Sequence, residues 1–445
     1  MKKEIDSFHI ISLGCAKNTV DSGSMVELLR RKGLKEFRDA TQADVIIVNT
    51  CGFISPAREE SLQVLNKVAS SKREDQFLIA VGCLSELEKE QIIKLVPNLD
   101  AVIGTRRWMD IDHVLDLMMQ GIKTPYVHFG AHAQASWGER GVLRAAIQGG
   151  SAYLKIGDGC DRACSFCMIP MIKGPTSSRP IQEVVKDAIK LQEQGIKELV
   201  LISQDTTSYG RDINIKDGLV CLLEELVHSV PDIPWIRILY MFPGAIDSKL
   251  MNLMAAEKQI LHYVDLPLQH AHPSVLRRMQ RPTDMKWVRN TITSLRNTMP
   301  DIAIRTTFIV GFPGETEQKF QALADFIEEI QFDRVGFFPY YAEAGAASYS
   351  MQDSVPTSVK DERLQHLADL QEKISYSRNE QFLHHTFDVL VEGVDKEIVV
   401  GRSYRDAPEI DGLVIAVGRG KIGEIVSVKI QQVMAHDLFG KIVDI

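Results

Sequence analysis

Three cysteines each stand directly after a short β-branched run: Cys15 after FHIISLG, Cys51 after DVIIVNT and Cys83 after QFLIAVG. Amphipathic stretches near Val20 to Arg31, from Pro56 and from Ser85 separate the runs. This is the rhythm of a parallel sheet with helical crossovers. In an open α/β sheet, ligand sites form beyond the carboxyl ends of the strands. Adjacent strands lie only ~5 Å apart, so thiols separated by thirty-odd positions can meet at one metal site. The first third of the chain is therefore expected to be a parallel α/β domain that gathers Cys15, Cys51 and Cys83.

A second trio lies in KIGDGCDRACSFCMIP, where Cys160, Cys164 and Cys167 are spaced Cys-x3-Cys-x2-Cys with no fourth cysteine nearby. A four-iron cluster held by three thiolates keeps one iron open, as a catalytic zinc keeps an open position and a structural zinc does not. Spacing alone leaves a zinc site possible. Position narrows the choice, because Cys160 follows a strand expected over Tyr153 to Gly157. Further strands are expected at Glu198 to Ser203, Trp235 to Tyr240, Tyr263 to Gln269, Ile302 to Gly311 and Arg334 to Tyr340. Helical segments such as Ile181 to Gly195 and Thr316 to Ile330 separate most of them. Six such units make an open or partial barrel with its site at the strands' carboxyl ends.

At 445 residues the chain exceeds one ordinary domain of ~100–200 residues. Gly121 to Gly150 lacks periodicity and reads as a surface connection. Pro356 to His385 reads as a helix, and thereafter the period becomes two: FDVLVEG, EIVVGRS, GLVIAVG and IVSVKI suggest a small antiparallel barrel of about five strands. The expected domains are 1–120, a linker at 121–145, a barrel at 146–377 and a terminal β-barrel at 378–445.

The start MKKEIDSFHI carries no apolar signal region, and no apolar run approaches a membrane span, so the cytoplasm is the default expectation. In that reducing compartment the seven cysteines read as metal ligands rather than disulfides. A formal charge of -8 argues against a protein that grips nucleic acid mainly by a basic surface. Cys221, on a helical stretch beside Leu222 and Leu223, reads as a core residue, and His128 and His132 as structural.

The barrel motif resembles the radical S-adenosylmethionine superfamily, whose cluster loop has this spacing after the first barrel strand. SLGCAKNTVDS, NTCGFISPAREES and VGCLSE resemble the N-terminal domain of the methylthiotransferases. LISQDTTSYG, VDLPLQH and TFIVGFPGET follow in the expected order, and the terminal barrel resembles the type called TRAM. The resemblance spans essentially the whole chain. It implies two [4Fe-4S] clusters and S-adenosyl-L-methionine. Cys160, Cys164 and Cys167 would hold the cluster that binds S-adenosylmethionine and makes the 5′-deoxyadenosyl radical. Cys15, Cys51 and Cys83 would hold a second cluster that carries sulfur. The implied reaction replaces C–H by C–SCH3, with an electron donor and a sulfur source as partners.

Hydrogen abstraction from an unactivated carbon exceeds any side-chain acid or base, so the hard step belongs to a cofactor. Polar residues at strand ends are the candidate contacts for S-adenosylmethionine: Gln204, Asp205, Gln269, His270 and Arg305, with Gly311 in the GFPGET turn. Against these stand a turn cap for Asp205, an internal ion pair for Arg305 and a plain tight connection at Gly311.

Methylthiotransferases act either on an adenosine of transfer RNA or on an aspartate of small-subunit ribosomal protein twelve. Arg378 to Ile445 carries eight Lys plus Arg against eleven Asp plus Glu. An acidic barrel suits a basic ribosomal protein, free or within its subunit, better than RNA phosphates. GRSYRDAPEIDG, Gly401 to Gly412, also resembles the ribosomal-protein branch. The expected substrate is thus the β-carbon of that aspartate, with transfer RNA modification, or a non-catalytic metal-binding module, as alternatives. The chain departs from the family pattern at Gly23, Met168, Lys173, which replaces a common Arg, and Ser177.

Overall fold

A computed structural model describes residues 5–130 and 140–443, so His132 lies outside the described residues. The described chain divides into two compact units. The first takes residues up to Ala146, Tyr153–Arg162 and Cys167–Glu183; the second takes Ile147–Ala152, Ala163–Phe166 and the chain from Val184.

In the first unit, β1 (Ser7–Ser12), β2 (Lys35–Glu36), β3 (Val45–Thr50), β4 (Phe77–Gly82), β5 (Ala101–Gly104) and β6 (Tyr126–His128) form a parallel sheet in the order β2-β1-β3-β4-β5-β6. Helices α1 (Ala16–Arg31), α2 (Ser55–Ser71), α3 (Cys83–Leu95) and α4 (Ile111–Met119) connect the strands. Ile47, Ile79 and Ile103 pack on one face against Met25 and Leu29 of α1 and Val114 of α4. On the other face Ile46, Val48 and Leu78 meet Leu65 of α2 and Ile92 of α3. Helices on both faces leave β3 wholly buried, which is why VIIV is apolar without alternation.

The run from Gly121 to Gly150, expected as an irregular connection, contains β6 and β7 (Ala145–Gln148). Both strands are too short to show a period. The chain then forms β8 (Ser151–Lys155), β9 (Gly157–Asp158), the turn-length helix α5 (Ile169–Ile172) and β10 (Ser177–Ser178), with β9 and β10 paired antiparallel.

After helix α6 (Ile181–Glu193) come β11 (Glu198–Ile202), β12 (Trp235–Ile238), β13 (Tyr263–Asp265), β14 (Ala303–Val310) and β15 (Arg334–Pro339). Between β11 and β15 run α7 (Gly218–Ser229), α8 (Ser248–Ala256), α9 (Pro273–Arg278), α10 (Met285–Thr298) and α11 (Glu317–Ile330), and α12 (Thr357–Glu380) follows β15. Each expected barrel strand is present. The ladder is divided, with one sheet ordered β12-β11-β8-β7 and another β13-β14-β15, and an isolated parallel bridge between Ile236 and Ile260 spans the break. Along β14 the burial alternates: Ile304, Thr306, Phe308 and Val310 are buried, while Arg305, Thr307 and Ile309 are half-buried.

The terminal barrel is closed by five strands, β16 (Thr386–Asp395), β17 (Ile398–Arg402), β18 (Val414–Val417), β19 (Ile425–Val433) and β20 (Leu438–Ile442). It is not wholly antiparallel, as expected from the sequence, because β18 and β20 pair in parallel. Directions cannot alternate around a closed ring of five strands, so at least one neighbouring pair must run the same way. Among the described residues no helix is long and apolar enough to cross a membrane.

Candidate functional site

Cys15, Cys51 and Cys83 follow β1, β3 and β4, three adjacent strands, as the sequence led us to expect. Cys15 caps α1 in an extended conformation, and Gly14 before it is left-handed at φ +89. A Cβ on Gly14 would lie 2.9 Å from Cys51 Sγ, so glycine is needed for the two loops to approach. The neighbouring motif residues lock this arrangement. Asn18 Nδ2 donates to the Leu13 carbonyl at 2.9 Å and the Thr50 carbonyl at 3.1 Å. Its Oδ1 lies 3.7 Å from Cys83 Sγ. Ser61 Oγ accepts from the Cys51 N–H at 3.0 Å and donates to the Cys51 carbonyl at 2.9 Å.

The electrostatics link the three thiols. Burial pushes Cys83 up to about 12, and the neighbouring Cys15 and Cys51 thiolates add to the rise. Burial also raises Cys51, again with help from Cys15. Cys15 moves the other way: burial opposes its ionisation, but Lys17, the backbone N–H groups of Asn18 and Lys17, and Lys173 outweigh it. Two buried thiols whose ionisation the Cys15 thiolate opposes suit a cationic centre, which would hold all three as thiolates. Among the described residues no three Cys, His, Asp or Glu side chains already stand at metal-ligand geometry. The trio is gathered at the strand ends rather than closed.

A buried charge cluster adjoins this trio. Asp21 of α1 accepts from Arg144 at 2.6 Å, Lys155 at 2.9 Å and Lys173 at 3.1 Å. Asp158 meets Lys155 at 2.8 Å and Lys173 at 3.5 Å. Lys173 also donates to Thr105 Oγ1, just beyond β5, at 2.8 Å. The sequence offered one hint of this cluster, the departure at Lys173. Asp21 carried no separate signal.

In the second trio, the backbone donates to sulfur. The Arg162 N–H lies 3.4 Å from Cys160 Sγ, and the Ile169 N–H lies 3.5 Å from Cys167 Sγ. Such donors favour thiolate over thiol. Cys160 and Cys167 belong to the first unit, whereas Cys164 belongs to the second. There Arg281 Nη1 approaches Cys164 Sγ at 3.8 Å, and the guanidinium stacks over Phe242 at 4.3 Å. Arg281 gave no signal in the sequence.

The six candidate cofactor contacts all fall in the second unit. Gln204 is half-buried just after β11. Asp205 caps the following turn, accepting from Thr207 Oγ1 at 2.6 Å and the Ser208 N–H at 3.2 Å. Gln269 is left-handed, φ +73, and is held by backbone bonds to Thr307 and Ile309, each 2.8 Å. His270 is fully buried. Its Nδ1 accepts from the His272 N–H at 2.9 Å, which assigns the ring proton to Nε2, 3.1 Å from Glu315 Oε2. Glu315 Oε1 in turn accepts from the Gly311 N–H at 3.0 Å and from Arg363 at 2.7 Å. Arg305 pairs with Asp265 at 2.9 Å and Asp411 at 3.3 Å. Tyr240, after β12, also has positive φ, +60. Three successive strand ends, at Tyr240, Gln269 and Gly311, therefore turn through left-handed residues, a backbone state retained where a site demands it.

Cys221 is half-buried on α7, and its Sγ approaches the Lys216 carbonyl at 3.6 Å. His128 pairs with Asp110 at 2.8 Å.

The chain matches three families: Uncharacterized protein family UPF0004 over residues 7–104, the Radical SAM superfamily over 154–327 and the TRAM domain over 385–443. The ribosomal protein uS12 methylthiotransferase RimO of Roseiflexus sp. (strain RS-1) is 42% identical, covering 98% of this chain and 97% of that protein. The protein of that name from Herpetosiphon aurantiacus is 42% identical over 98% and 100% of the two chains; that from Aquifex aeolicus is 40% identical over 97% and 96%. Among solved structures, the radical S-adenosylmethionine methyltransferase TsrM from Kitasatospora setae superposes with TM-score 0.56 at 14% identity, covering 88% of this chain and 79% of that one. OxsB, a cobalamin-dependent S-adenosylmethionine radical enzyme, gives 0.53 at 12% identity over 83% and 56%. Both likenesses concern the fold alone.

Proposed function

This chain belongs to the ribosomal protein uS12 methylthiotransferase RimO family, and on that premise we propose that it replaces a C–H bond at the β-carbon of an aspartate of uS12 with C–SCH3. It is a radical S-adenosylmethionine enzyme. Cys160, Cys164 and Cys167 would hold the iron–sulfur cluster that engages S-adenosylmethionine, and Cys15, Cys51 and Cys83 would hold a second [4Fe-4S] cluster. When loaded, the first supplies the radical and the second the sulfur, with one S-adenosylmethionine used for each of radical and methyl group. The observation that carries this reading is the placement of Cys15, Cys51 and Cys83 at the carboxyl ends of three adjacent strands, in a chain that also bears Cys-x3-Cys-x2-Cys.

The protein's own residues orient and exclude. Gln204 and Gln269 contact S-adenosylmethionine from the strand ends. His270 and Glu315 hold the Gly311 turn that the cofactor approaches and Asp205 shapes the wall around it, while Arg305, paired with Asp265 and Asp411, braces the strands away from that end. The domain roles follow: sulfur carriage at 1–120, a linker at 121–145, radical generation at 146–377 and substrate recognition at 378–445.

The terminal barrel keeps the acidic balance of its sequence at the surface. Arg402 and Arg405 are buried, but so are Asp406 and the Asp411 side chain, so the burial of charge cancels. An acidic face suits a basic ribosomal protein and repels RNA phosphates. The enzyme works in the cytoplasm, where its substrate is made and assembled, and draws on an electron donor and a sulfur source there.

Mass analysis of uS12 beside nucleoside digests of transfer RNA, from cells with and without this protein, tests the proposal. The added methylthio mass on uS12 should vanish with the protein. Loss of an RNA modification with uS12 unchanged would overturn the substrate.

A further inference from the structure

The cluster around Asp21 gathers buried cations from three separate segments. Asp21 and Asp158 face Arg144, Lys155 and Lys173. All five residues belong to the first unit, and Asp21, Arg144, Lys155 and Lys173 are buried. Lys155 makes the closer contact to both carboxylates, 2.9 Å to Asp21 and 2.8 Å to Asp158, against 3.1 Å and 3.5 Å for Lys173. Lys173 is thus the lysine held less closely by the two carboxylates.

Lys173 Nζ is anchored 2.8 Å from Thr105 Oγ1, directly after β5. β5 neighbours β4, whose end carries Cys83, and Asp21 lies on the helix that Cys15 caps. The ammonium is thus fixed along the row of strand ends where the first cysteine trio is gathered. Three thiolates on a four-iron core of charge 2+ would leave a net negative centre there.

We infer that Lys173 is a positioning residue for the sulfur-carrying centre, supplying a fixed buried positive charge that stabilises the more anionic state of a cluster on Cys15, Cys51 and Cys83. The inference rests on the reading of those cysteines as cluster ligands. Electrostatics agree: burial works against the Lys173 ammonium, but Asp158, Asp21 and Cys83 outweigh it and hold its pKa above the ordinary value.

The test is potentiometric EPR on the full chain in which Cys160, Cys164 and Cys167 are replaced by Ala, so that only the first trio can hold a cluster. Adding Lys173→Met should lower the midpoint potential. A tenfold change in the reduced-to-oxidised ratio at fixed poise corresponds to 59 mV for one electron. Lys173→Arg should restore most of the shift. Asp158→Asn, which removes a negative charge beside Lys173, should move the potential upward and keeps the test decisive if Lys173→Met does not fold. In the reciprocal background, with Cys15, Cys51 and Cys83 replaced by Ala, Lys173→Met should leave the other cluster's potential in place. An unmoved potential in Lys173→Met, equal shifts in both backgrounds, or a downward shift in Asp158→Asn would overturn the inference. Absence of any cluster in the parent variant would instead refute the ligand reading on which it rests.

Discussion

Arg402 Nη2 donates to Glu198 Oε2 at 2.6 Å, joining β17 to the first residue of β11 across 204 positions of sequence. The same carboxylate accepts from Arg237 at 2.7 Å. Nearby loop residues repeat the pattern. Asp406 pairs with Arg334, the first residue of β15, at 2.6 Å, and Asp411 accepts from Tyr263, the first residue of β13, at 2.6 Å. The GRSYRDAPEIDG segment thus braces the amino ends of the barrel strands. Gln204, Gln269 and Gly311 lie toward the opposite, carboxyl ends of the strands.

Breaking the Arg402–Glu198 pair should be costly, because a buried carboxylate would keep only Arg237 and the Ser151 hydroxyl, 2.7 Å from Oε2, as partners. Arg402→Ala is expected to destabilise the second unit by on the order of 3–5 kcal/mol, read as a lower midpoint in urea unfolding. An unchanged midpoint would show that the pair is solvated in practice.

Acid should act through the same carboxylate. Burial disfavours the Glu198 charge, but Arg402 and Arg237 outweigh it and hold the pKa at about 2. A lowered folded-state pKa contributes stability that is complete above the ordinary glutamate range and is lost as pH falls from about 4.5 toward about 2. The contribution is on the order of 3 kcal/mol. Glu198→Gln should be less stable at neutral pH and show a shallower loss across that window; parallel pH profiles for the two proteins would contradict this.

Gln269 and His270 are neighbours with separable roles. Gln269→Ala should raise KM for S-adenosylmethionine about tenfold, the loss of one hydrogen bond to a charged group, with no change in unfolding. His270→Ala leaves Glu315 Oε2 short of a buried donor and should cost about 1–3 kcal/mol of stability. Calorimetry and steady-state kinetics on both variants decide it, and the reverse pattern would exchange the roles.

Replacing Cys160, Cys164 and Cys167 with Ala should abolish formation of 5′-deoxyadenosine. Replacing Cys15, Cys51 and Cys83 should spare that cleavage and stop sulfur insertion into uS12. Full methylthiolation by the second variant would refute the division of labour.

Much of this protein is written in local pattern. Three strands each ending in cysteine, helices at a period of 3.6 and a terminal stretch at period two place both trios and all the main strands, because periodicity and turn residues act over a few positions. The same locality explains the errors. β6 and β7 are too short to carry a period, and the parallel pairing of β18 with β20 follows from ring closure, which no single strand encodes. The charge pairs lay further out of reach. Lys173 and Asp21 are 152 positions apart, and Arg402 and Glu198 are 204 apart. A lone Lys or Glu in sequence carries no sign of its partner; the fold must first bury both, and only that loss of water makes their pairing obligatory. The cysteines could thus be read along the chain, whereas the cation beside them emerged only once distant segments had packed together.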